Sequence, residues 1–432
     1  MLKLCLAHPV FHPIFGGGGL RFRRYLPGLQ KRDVQVRVLS GTNRAKDLVL
    51  SQDGPDWSRY RIGEWLPTER LDGIPLHRVR LPKETGVRRT SIWFRRLIEL
   101  CRTPETRPDV IQLHSFERLE SLFWLPRLRR LGLPLVYAVQ ITSPRLGASA
   151  PIRAAHHAML RRFYGSFDAI VTSSEQIGGH LRRLGVERPI AIIPNGVDLD
   201  RYRPRDGNAR RAARARLGIR GDGPVLLSVG SVSARKGSDI LIDAWSRCLA
   251  QCPSLELVLI GPCPDPTDQR HRAGAFGARI AELVRAARRP DQVHFTGVRD
   301  DVEALYAAAD LFVLPTSREG GTPNGMLEAM ACGLPVVITP FEGQSTAIGR
   351  PGLEFVQAAR TADSLHRTLA DLLDDAPRCQ ALARRGRAWV ERHLALDRSL
   401  DRFTDLYGRL ASGDLDAGEL DARNPRFPTA WR

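Results

Sequence analysis

The sequence lacks a long apolar run, and this absence bears on where the protein works. No stretch approaches the roughly 20 apolar residues that cross a bilayer. The opening segment MLKLCLAHPVFHP has one lysine and a short apolar stretch, whereas a secretory leader needs a longer apolar core and a small-residue cleavage site. We therefore expect a cytoplasmic protein whose first residues form a β-strand.

Cysteine is also scarce. Seven cysteines are spread over 432 residues, and an odd number at such spacing does not indicate a disulfide framework. Cys248, Cys252 and Cys263 lie close in sequence, but no histidine or further cysteine completes a zinc-binding spacing. We expect buried thiols and predict no zinc site.

Acidic residues are few in the N-terminal half. Residues 1–200 contain 32 Lys and Arg against 18 Asp and Glu, a net charge of +14, whereas residues 201–432 contain 33 against 29, a net charge of +4. A basic half indicates an anionic partner, and either an acidic lipid surface or a phosphate-bearing substrate would fit. Aromatic residues make up only 7% of the chain and no nucleic-acid-binding motif is present, so no nucleic acid partner is expected.

The apolar residues occur in short runs that alternate with helical patterns. In a chain too long for one core, this alternation predicts two α/β domains, each a parallel sheet with helices on both faces. We place them at residues 1–200 and 201–395, with a C-terminal helix and a polar tail over 396–432. The Arg-, Gly- and Pro-rich segment 201–224 is interpreted as a linker with a short basic helix. The predicted strands are LKLCLAH, VQVRVLS, DVIQLH, PLVYAVQIT, DAIVTSS and IAIIP, then VLLSVG, LELVLIG, QVHFTG, LFVLP and PVVITP.

Four consecutive glycines follow the first predicted strand, in HPIFGGGGL. Gly16, Gly17 and Gly18 let the backbone approach a ligand closely, and the helix that follows offers free N–H groups to an anion. The spacing is not that of a dinucleotide-binding fingerprint. The loop is therefore either a phosphate contact or a flexible turn.

A second glycine-containing loop, SVGSVSARKGSDI, opens the second half. Gly230 and Ser231 end a strand, and Arg235 and Lys236 precede a helix. Two cations at this position either neutralise a diphosphate leaving group without a metal or form a solvated basic turn.

Two further polar residues follow predicted strands. His114 ends DVIQLH, and Asn195 lies in a Pro-Asn-Gly turn at the predicted domain junction. Open α/β sheets bind ligands at the carboxyl ends of their strands, which makes His114 a candidate. A single histidine is more often structural, however, and an Asn-Gly turn carries no chemistry by itself.

The stretch SREGGTPNGMLEAMACGLPV places Glu319 in a glycine-rich loop and Glu328 at the predicted start of a helix. The helix macrodipole keeps a carboxylate ionised at that position, and its two oxygens can accept hydrogen bonds from vicinal sugar hydroxyls. Glu328 therefore suits a nucleotide ribose and Glu319 a transferred sugar, unless Glu328 serves only its own helix. The donor-contacting positions between them would be Gly320, Gly321, Thr322, Pro323, Asn324, Gly325, Met326 and Leu327.

These blocks, IIPNGVD, SREGGTPNGMLEAMACGLPVV and the two glycine loops, resemble the retaining family 4 glycosyltransferases, or glycosyl transferases group 1, over roughly residues 1–410. The resemblance implies an α/β protein of GT-B architecture, with two doubly wound Rossmann-like domains facing each other across a cleft. The first domain would bind the acceptor and the second the nucleotide sugar, and the C-terminal helix would pack back towards the first.

The same resemblance implies the reaction and its participants. A sugar would pass from a UDP- or GDP-linked donor to a glycan or lipid-linked acceptor, with retention at the anomeric carbon and without a metal or other cofactor. Cell-envelope glycan or glycolipid synthesis is the expected setting. Catalytic roles are implied for His114, Glu319, Lys236 and Arg235; donor contacts for the glycine loops and the residues between the two glutamates; and acceptor-side positions for Gln140 and Asn195.

The sequence departs from the family pattern in several places. Eight residues separate Glu319 from Glu328, where the family usually has seven, because of an extra glycine beside Gly320. Ser231 stands in place of an arginine, and we expect Arg235, which is close in sequence, to supply the missing guanidinium. Gln140 stands in place of a histidine. The segment EGQSTAIG lacks the glutamate of the family's GGxPE block.

Two alternatives to a transferase remain open at this stage. A nucleotide-sugar epimerase of the same fold would need acid–base residues around one sugar and no acceptor site. A catalytically impaired nucleotide-sugar-binding partner would explain the missing arginine and glutamate.

The segment RRTSIWFRRLIELCR, residues 88–102, has an amphipathic pattern. On a helical wheel, Trp93, Phe94 and Leu97 share one face, and Arg88 and Arg95 lie on the opposite side. Such a helix either packs on its own sheet or lies on an anionic lipid surface. The basic N-terminal half favours weak peripheral association at the inner face of the plasma membrane.

Overall fold

The computed structural model describes residues 1–14, 17–42, 56–140, 149–264, 272–416, 418, 420, 424–425 and 427. The chain divides into two compact units. Unit 1 comprises Met1–Ile193 and Ser399–Arg426, and unit 2 comprises Pro194–Arg398 and Phe427–Arg432. The first division therefore falls a few residues before position 200, and the C-terminal helix belongs mainly to unit 1.

Across its described residues, unit 1 contains an eight-stranded sheet of order β3-β4-β2-β1-β5-β6-β7-β8. All neighbouring strands are parallel except β3 and β4, which are antiparallel. The short segments ERL and IPLHRV that form β3 and β4 carry charged residues, so a search for apolar runs had not indicated them. The strands are β1 (Leu2–Ala7), β2 (Val34–Gly41), β3 (Glu69–Leu71), β4 (Ile74–Val79), β5 (Val110–His114), β6 (Leu135–Val139), β7 (Ala169–Thr172) and β8 (Ile190–Ile192).

Helices cover the sheet of unit 1. Ser174 starts α5 because its hydroxyl accepts hydrogen bonds from the backbone N–H groups of Gln176 and Ile177, which the helix itself leaves without partners. The helices are α1 (Gly17–Gln30), α2 (Val87–Arg102), α3 (Ser121–Arg129), α4 (Ala150–Tyr164) and α5 (Glu175–Arg183).

The amphipathic helix forms as predicted, but its apolar face is not free. Trp93, Phe94 and Leu97 of α2 are at most 1% exposed and belong to a core cluster with strand residues of the same unit. Burial of these side chains stabilises unit 1 and leaves them unable to contact lipid. The prediction of a lipid-binding apolar face was therefore wrong, and the alternative of packing on the sheet is confirmed.

The described part of unit 2 holds a six-stranded sheet of order β11-β10-β9-β12-β13-β14, and every neighbouring pair is parallel. Its apolar strands match the predicted runs, and β14 is an addition of two residues. The strands are β9 (Val225–Val229), β10 (Glu256–Ile260), β11 (Val293–Gly297), β12 (Leu311–Leu314), β13 (Val336–Ile338) and β14 (Val356–Gln357).

Seven helices lie in the described part of unit 2. The segment DDVEALYAAA has the composition of a single helix, but it forms only a four-residue helix and a 3-10 turn over Tyr306–Ala308. The helices are α6 (Gly207–Arg216), α7 (Ser238–Cys248), α8 (Arg272–Ala286), α9 (Val302–Leu305), α10 (Asn324–Ala331), α11 (Ala362–Leu373) and α12 (Ala376–His393), and α13 (Leu396–Ser412) then returns the chain to unit 1. Among the helices of the described ranges, none has the length and apolarity to cross a bilayer.

Candidate active site

The strongest cluster of charged side chains in the predicted motifs lies at the edge of the unit 2 sheet where the strands end. The order of strands reverses between β9 and β12, since β10 and β11 follow β9 on one side and β13 and β14 follow β12 on the other. In open α/β sheets such a switch point leaves a crevice beside the carboxyl ends of the strands. The loop after β9 supplies Arg235 and Lys236, and the loop after β12 supplies Glu319.

Two glycines allow close packing here: Gly237 where the two loops meet, and Gly230 within the loop that carries Lys236. Gly237 has a φ of 69° and precedes α7, and a side chain there would collide with the carbonyl oxygen of Pro315. Gly230 has a φ of 146°, and a Cβ atom there would lie 3.1 Å from Cε of Lys236. The glycine-rich composition is thus required for the loop to hold Lys236 against the strand end.

Glu319 connects the two loops through a single oxygen. Its Oε1 accepts from Lys236 Nζ at 2.7 Å, from Arg235 Nη1 at 2.9 Å and from Thr316 Oγ1 at 2.7 Å. No hydrogen bond joins its Oε2 to any residue that the structure describes. The side chains of Lys236 and Glu319 are 15% and 12% exposed, so this ion pair is largely shielded from water.

The charges shift one another's titration. Burial would raise the pKa of Glu319, but the neighbouring Lys236 and Arg235 outweigh burial, and the pKa lies below its ordinary value. Burial lowers the pKa of Lys236, and Glu319 opposes that shift. Glu319 is therefore ionised at neutral pH and available as an anion or hydrogen-bond acceptor.

The extra glycine of the loop lies in a tight turn directly after Glu319. Thr322 N donates to Gly320 O at 3.2 Å, and Gly321 between them has a φ of 89°. The inserted residue is thus absorbed in a tight turn after Glu319, in a conformation that favours glycine. The backbone N–H of Glu319 donates to Glu342 O at 3.1 Å, which fixes the loop on its other side.

Asn195 contacts this donor-side loop. Its backbone N–H donates to Thr322 Oγ1 at 2.7 Å and its Nδ2 donates to Thr322 O at 2.6 Å. Asn195 is 8% exposed and belongs to unit 2. The Asn-Gly turn thus positions the loop between the two glutamates, and its assignment to the acceptor side is not supported by these contacts.

Glu328 lies in the second turn of α10, not at its start, because α10 begins at Asn324. The macrodipole argument therefore does not apply to it as expected, since that effect falls off after the first turn. Glu328 is 3% exposed, and Tyr306 Oη donates to its Oε2 at 2.8 Å. Sequence reasoning had not identified Tyr306, which lies 22 residues away along the chain.

The remaining predicted donor contacts divide into two groups. Met326 and Leu327 are 0% exposed and belong to the hydrophobic core of unit 2, so their side chains cannot bind a donor. Pro323 is the residue before α10 and Asn324 is the first of the helix, so both lie at the helix N-terminus. Ser231 lies beside Ser233, with their hydroxyl oxygens 3.5 Å apart.

The switch point of unit 1 lies between β1 and β5, and a histidine lies at the carboxyl end of each of these strands. His114 ends β5 and is 0% exposed, and its ring stacks on that of His8, which follows β1, with centroids 4.8 Å apart. Gln112 Oε1 accepts from Tyr407 Oη at 2.7 Å, and Gln112 Nε2 lies 2.8 Å from His114 Nε2. This chain of hydrogen bonds makes His114 Nε2 an acceptor and leaves its proton on Nδ1.

Burial keeps both rings neutral. Burial lowers the pKa of His8 to about 4. The pKa of His114 lies well below its ordinary value, mainly because of burial and also because of electrostatic repulsion by His8 and Arg21. Within the described ranges, neither His114 Nδ1 nor His8 Nε2 has a hydrogen-bond partner. Sequence reasoning had found His114 but not His8, although His8 also directly follows a predicted strand.

The glycine-rich loop of unit 1 is described only in part. Gly16 lies outside the described residues, and Gly17 and Gly18 begin α1. A side chain at Gly18 would collide with the amide of Gln140, so these two residues of separate predicted motifs are in contact. Gln140 therefore lies at the N-terminus of α1, where an anion would be bound.

The scarcity of lysine is a further sequence signal that points to Lys236. The chain has only five lysines, and Lys236 is the only one after Lys83. In a chain that otherwise uses arginine for its cations, one lysine in the glycine loop marks a position where a compact ammonium group is required.

Comparison with known proteins identifies both halves. Residues 16–196 match the model of a glycosyl transferase 4-like domain, and residues 223–375 match that of glycosyl transferases group 1. Together the two models cover more than three quarters of the chain.

Several named proteins are similar in sequence. The lipopolysaccharide core biosynthesis mannosyltransferase LpsB of Rhizobium meliloti is 28% identical over 326 residues, which cover 74% of this chain and 85% of that protein. A GDP-mannose-dependent monoacylated α-(1-6)-phosphatidylinositol monomannoside mannosyltransferase of Corynebacterium glutamicum is 30% identical over 222 residues, or 50% of this chain and 55% of the relative. The D-inositol 3-phosphate glycosyltransferase of Salinispora tropica is 30% identical over 302 residues, or 66% and 61%.

Solved structures show the same fold. Sucrose-phosphate synthase from Thermosynechococcus elongatus aligns with a TM-score of 0.74 at 21% identity, covering 96% of this chain and 100% of that one. WaaG, a glycosyltransferase of lipopolysaccharide biosynthesis, aligns with a TM-score of 0.68 at 22% identity, covering 94% and 99%. The chain is thus a glycosyltransferase of the GT-B fold and belongs to the family of group 1 glycosyl transferases.

Proposed function

We propose that the protein transfers a sugar from a UDP- or GDP-linked donor to a glycan or lipid-linked acceptor in cell-envelope glycan or glycolipid synthesis. The observation that carries this proposal is the pairing of Lys236 and Arg235 with Glu319 at the switch point of unit 2. Two cations that converge at a strand end provide a binding site for the diphosphate of a nucleotide sugar. The names of the relatives, which include a lipopolysaccharide-core and a GDP-mannose-dependent mannosyltransferase, support the class of donor and acceptor.

We assign the steps to residues as follows. Lys236 and Arg235 stabilise the charge that develops on the leaving diphosphate, so that no metal is required. Glu328 accepts hydrogen bonds from the ribose, and Glu319 accepts them from the transferred sugar. His114 acts on the acceptor side, where its Nδ1–H is a donor without a partner in the described structure. We expect retention at the anomeric carbon.

The alternatives are less well supported. An epimerase would require no acceptor, whereas the relatives named above are transferases or synthases. An inactive binding partner was suggested by the missing family arginine, but Arg235 lies beside Lys236 with its Nη1 2.9 Å from Glu319, so the second cation is present.

The proposal is tested by incubating the protein with GDP-mannose and with UDP-glucose and measuring the slow release of free sugar and nucleoside diphosphate. We expect release from one donor, unchanged by a chelator. Loss of activity on chelation would reject the metal-independent mechanism, an isomeric sugar would indicate an epimerase, and no release or binding of any nucleotide sugar would reject the function.

We also propose weak peripheral association with an anionic membrane at the cytoplasmic face. A surface groove of about 570 Å³ on α2 and α3 is lined by Arg95, Arg102, Arg127 and Arg130 with one glutamate, Glu99. Beside this basic groove, Phe123 is 58% exposed, with the guanidinium of Arg127 3.8 Å from its ring centroid. Basic side chains beside an exposed aromatic ring suit an anionic interface.

Cosedimentation with vesicles tests this association. Binding should occur with anionic vesicles, be absent with zwitterionic ones, and decrease when Arg95 and Arg102 are both changed to Glu. Changing Arg384 and Arg385 to Glu, which are exposed on α12 of unit 2, provides a control of equal charge. Equal recovery of all variants in the supernatant would reject the membrane proposal and leave the transferase proposal intact.

A further inference from the structure

Glu319 occupies the position where the donor's diphosphate would be expected. Its Oε1 lies 2.7 Å from Lys236 Nζ and 2.9 Å from Arg235 Nη1, and these are the distances at which a phosphate oxygen would pair with the same cations. A carboxylate and a diphosphate cannot both take this place without strong repulsion between their charges.

We infer that Glu319 competes with the diphosphate for Lys236 and Arg235, and that this competition makes the site select an intact sugar donor over the free nucleoside diphosphate product. The inference rests on the proposed function, because it assumes that Lys236 and Arg235 bind the donor's diphosphate. It adds a role in donor selection and product release for Glu319, beyond contact with the sugar.

The preference for the donor follows from the hydrogen-bond donors that each ligand offers to the displaced carboxylate of Glu319. When a nucleotide sugar binds, Glu319 exchanges three donors, Lys236, Arg235 and Thr316, for hydroxyl groups of the sugar. A free nucleoside diphosphate has no sugar to offer, so a displaced Glu319 would remain a shielded carboxylate without compensating hydrogen bonds. After transfer, the return of Glu319 to its cations would therefore help to expel the product.

The surroundings make this exchange possible. Arg235 donates through one nitrogen, Nη1, to both Arg318 O at 2.7 Å and Glu319, so its position is held by the backbone after the carboxylate leaves. The loop that carries Glu319 is fixed by backbone hydrogen bonds at Ser317 and Glu319 itself. The side chain of Glu319 can therefore rotate away while Arg235 stays in place.

Calorimetric titration of the full chain with GDP and with UDP tests the inference. Removing the competing charge in Glu319→Gln should tighten binding of the free diphosphate by about tenfold, since a charge-assisted interaction is lost from the unbound state. The same variant should bind the nucleotide sugar no more tightly than wild type, so that the preference for donor over product falls. Glu282→Gln, at an exposed position of α8, removes the same charge from unit 2 and should change neither affinity.

Thr316→Val provides a second variant that keeps the charge of Glu319. It removes the third donor to Oε1 and should tighten diphosphate binding by a smaller factor, while the near-isosteric side chain preserves the fold. A thermal unfolding curve for each variant confirms that it is folded before titration.

The possible outcomes distinguish failure of the inference about Glu319 from failure of the proposed function. Equal or weaker diphosphate binding by folded Glu319→Gln, or by Thr316→Val if the first variant does not fold, would overturn the inference while wild-type binding upheld the proposed function. Absence of GDP and UDP binding in wild type would overturn both. Tighter binding in Glu319→Gln with an equal gain for the nucleotide sugar would show simple charge repulsion and would also reject the selection of donor over product.

Discussion

Both units have a largely parallel sheet in which the strand order reverses at a switch point, but the side chains at the two switch points differ. At the switch point of unit 1, the neutral rings of His8 and His114 stack in a buried cluster that lies near the cation of Arg21. At the switch point of unit 2, Glu319 pairs with both Lys236 and Arg235 in a charged cluster that is largely shielded from water. A parallel α/β sheet thus provides the location of a site, and the side chains after its strands decide whether that location holds charge.

The largest expected effect comes from removing the lysine of the charged switch point. Lys236→Ala should lower kcat by about 100-fold or more, because the leaving diphosphate loses a preorganised cation. Steady-state kinetics with the donor that the release assay selects measures this effect, and Lys83→Ala, at an exposed position of unit 1, is the matched control. Wild-type activity in a folded Lys236→Ala protein would remove the functional difference between the two switch points.

The neutral switch point should respond to acid. The pKa of His8 falls to about 4 in the folded protein from an ordinary 6.5, so below pH 6.5 the unfolded chain binds a proton that the folded chain does not. His8 therefore contributes its full stability above pH 6.5 and loses it as the pH falls towards 4, by up to about 1.4 kcal/mol for each pH unit.

Comparing wild type with His8→Gln isolates the pH-dependent contribution of His8 to the free energy of unfolding. Urea unfolding of both proteins at pH 7.5 and pH 5 should show that the stability advantage of wild type shrinks at the lower pH. A difference between the two proteins that does not change with pH would show that His8 is not a buried neutral ring.

Glu328 offers a test within unit 2. Glu328→Gln should weaken nucleoside diphosphate binding by about tenfold, because an ionised acceptor for the ribose hydroxyls becomes a neutral amide. This direction is opposite to that expected for Glu319→Gln, so calorimetry on the two variants separates the two carboxylates. Unchanged affinity in Glu328→Gln would withdraw the ribose assignment.

The smallest effect concerns the hydrogen bond behind His114. Tyr407→Phe removes the donor to Gln112 and should lower the free energy of unfolding by about 1 kcal/mol. Donor binding in unit 2 should be unaffected, which calorimetry would verify. A loss of donor affinity in this variant would mean that the two switch points are coupled.

The sequence was informative where local patterns determine structure. Apolar runs predicted both sheets, and the pattern of SVGSVSARKGSDI placed Arg235 and Lys236 in the loop between a strand and a helix. The short strands β3 and β4 were missed because they contain charged residues and form no continuous apolar run. Glu328 lies one turn further into the helix than expected because α10 begins at Asn324.

Contacts between distant segments could not be predicted in this way. The hydrogen bond to Gln112, which in turn contacts His114, comes from Tyr407, 295 residues from Gln112. The partner Tyr306 of Glu328 lies on a 3-10 turn 22 residues away along the chain. The pairing of Glu319 with Lys236 joins loops that follow different strands. Such juxtapositions are set by the strand order of the sheet, which a single sequence does not reveal.

Protection of lysines from acetylation tests most directly whether the charged switch point binds the diphosphate. Only five lysines are present, so peptide mass spectrometry can follow Lys236 separately from the exposed Lys3 and Lys83. Saturation with the preferred nucleoside diphosphate should slow acetylation of Lys236 several-fold and leave Lys3 and Lys83 unchanged. If Lys236 is acetylated at the same rate with and without a nucleotide that binds the protein, the diphosphate must bind elsewhere. That result would contradict the assignment of the diphosphate to Lys236 and Arg235.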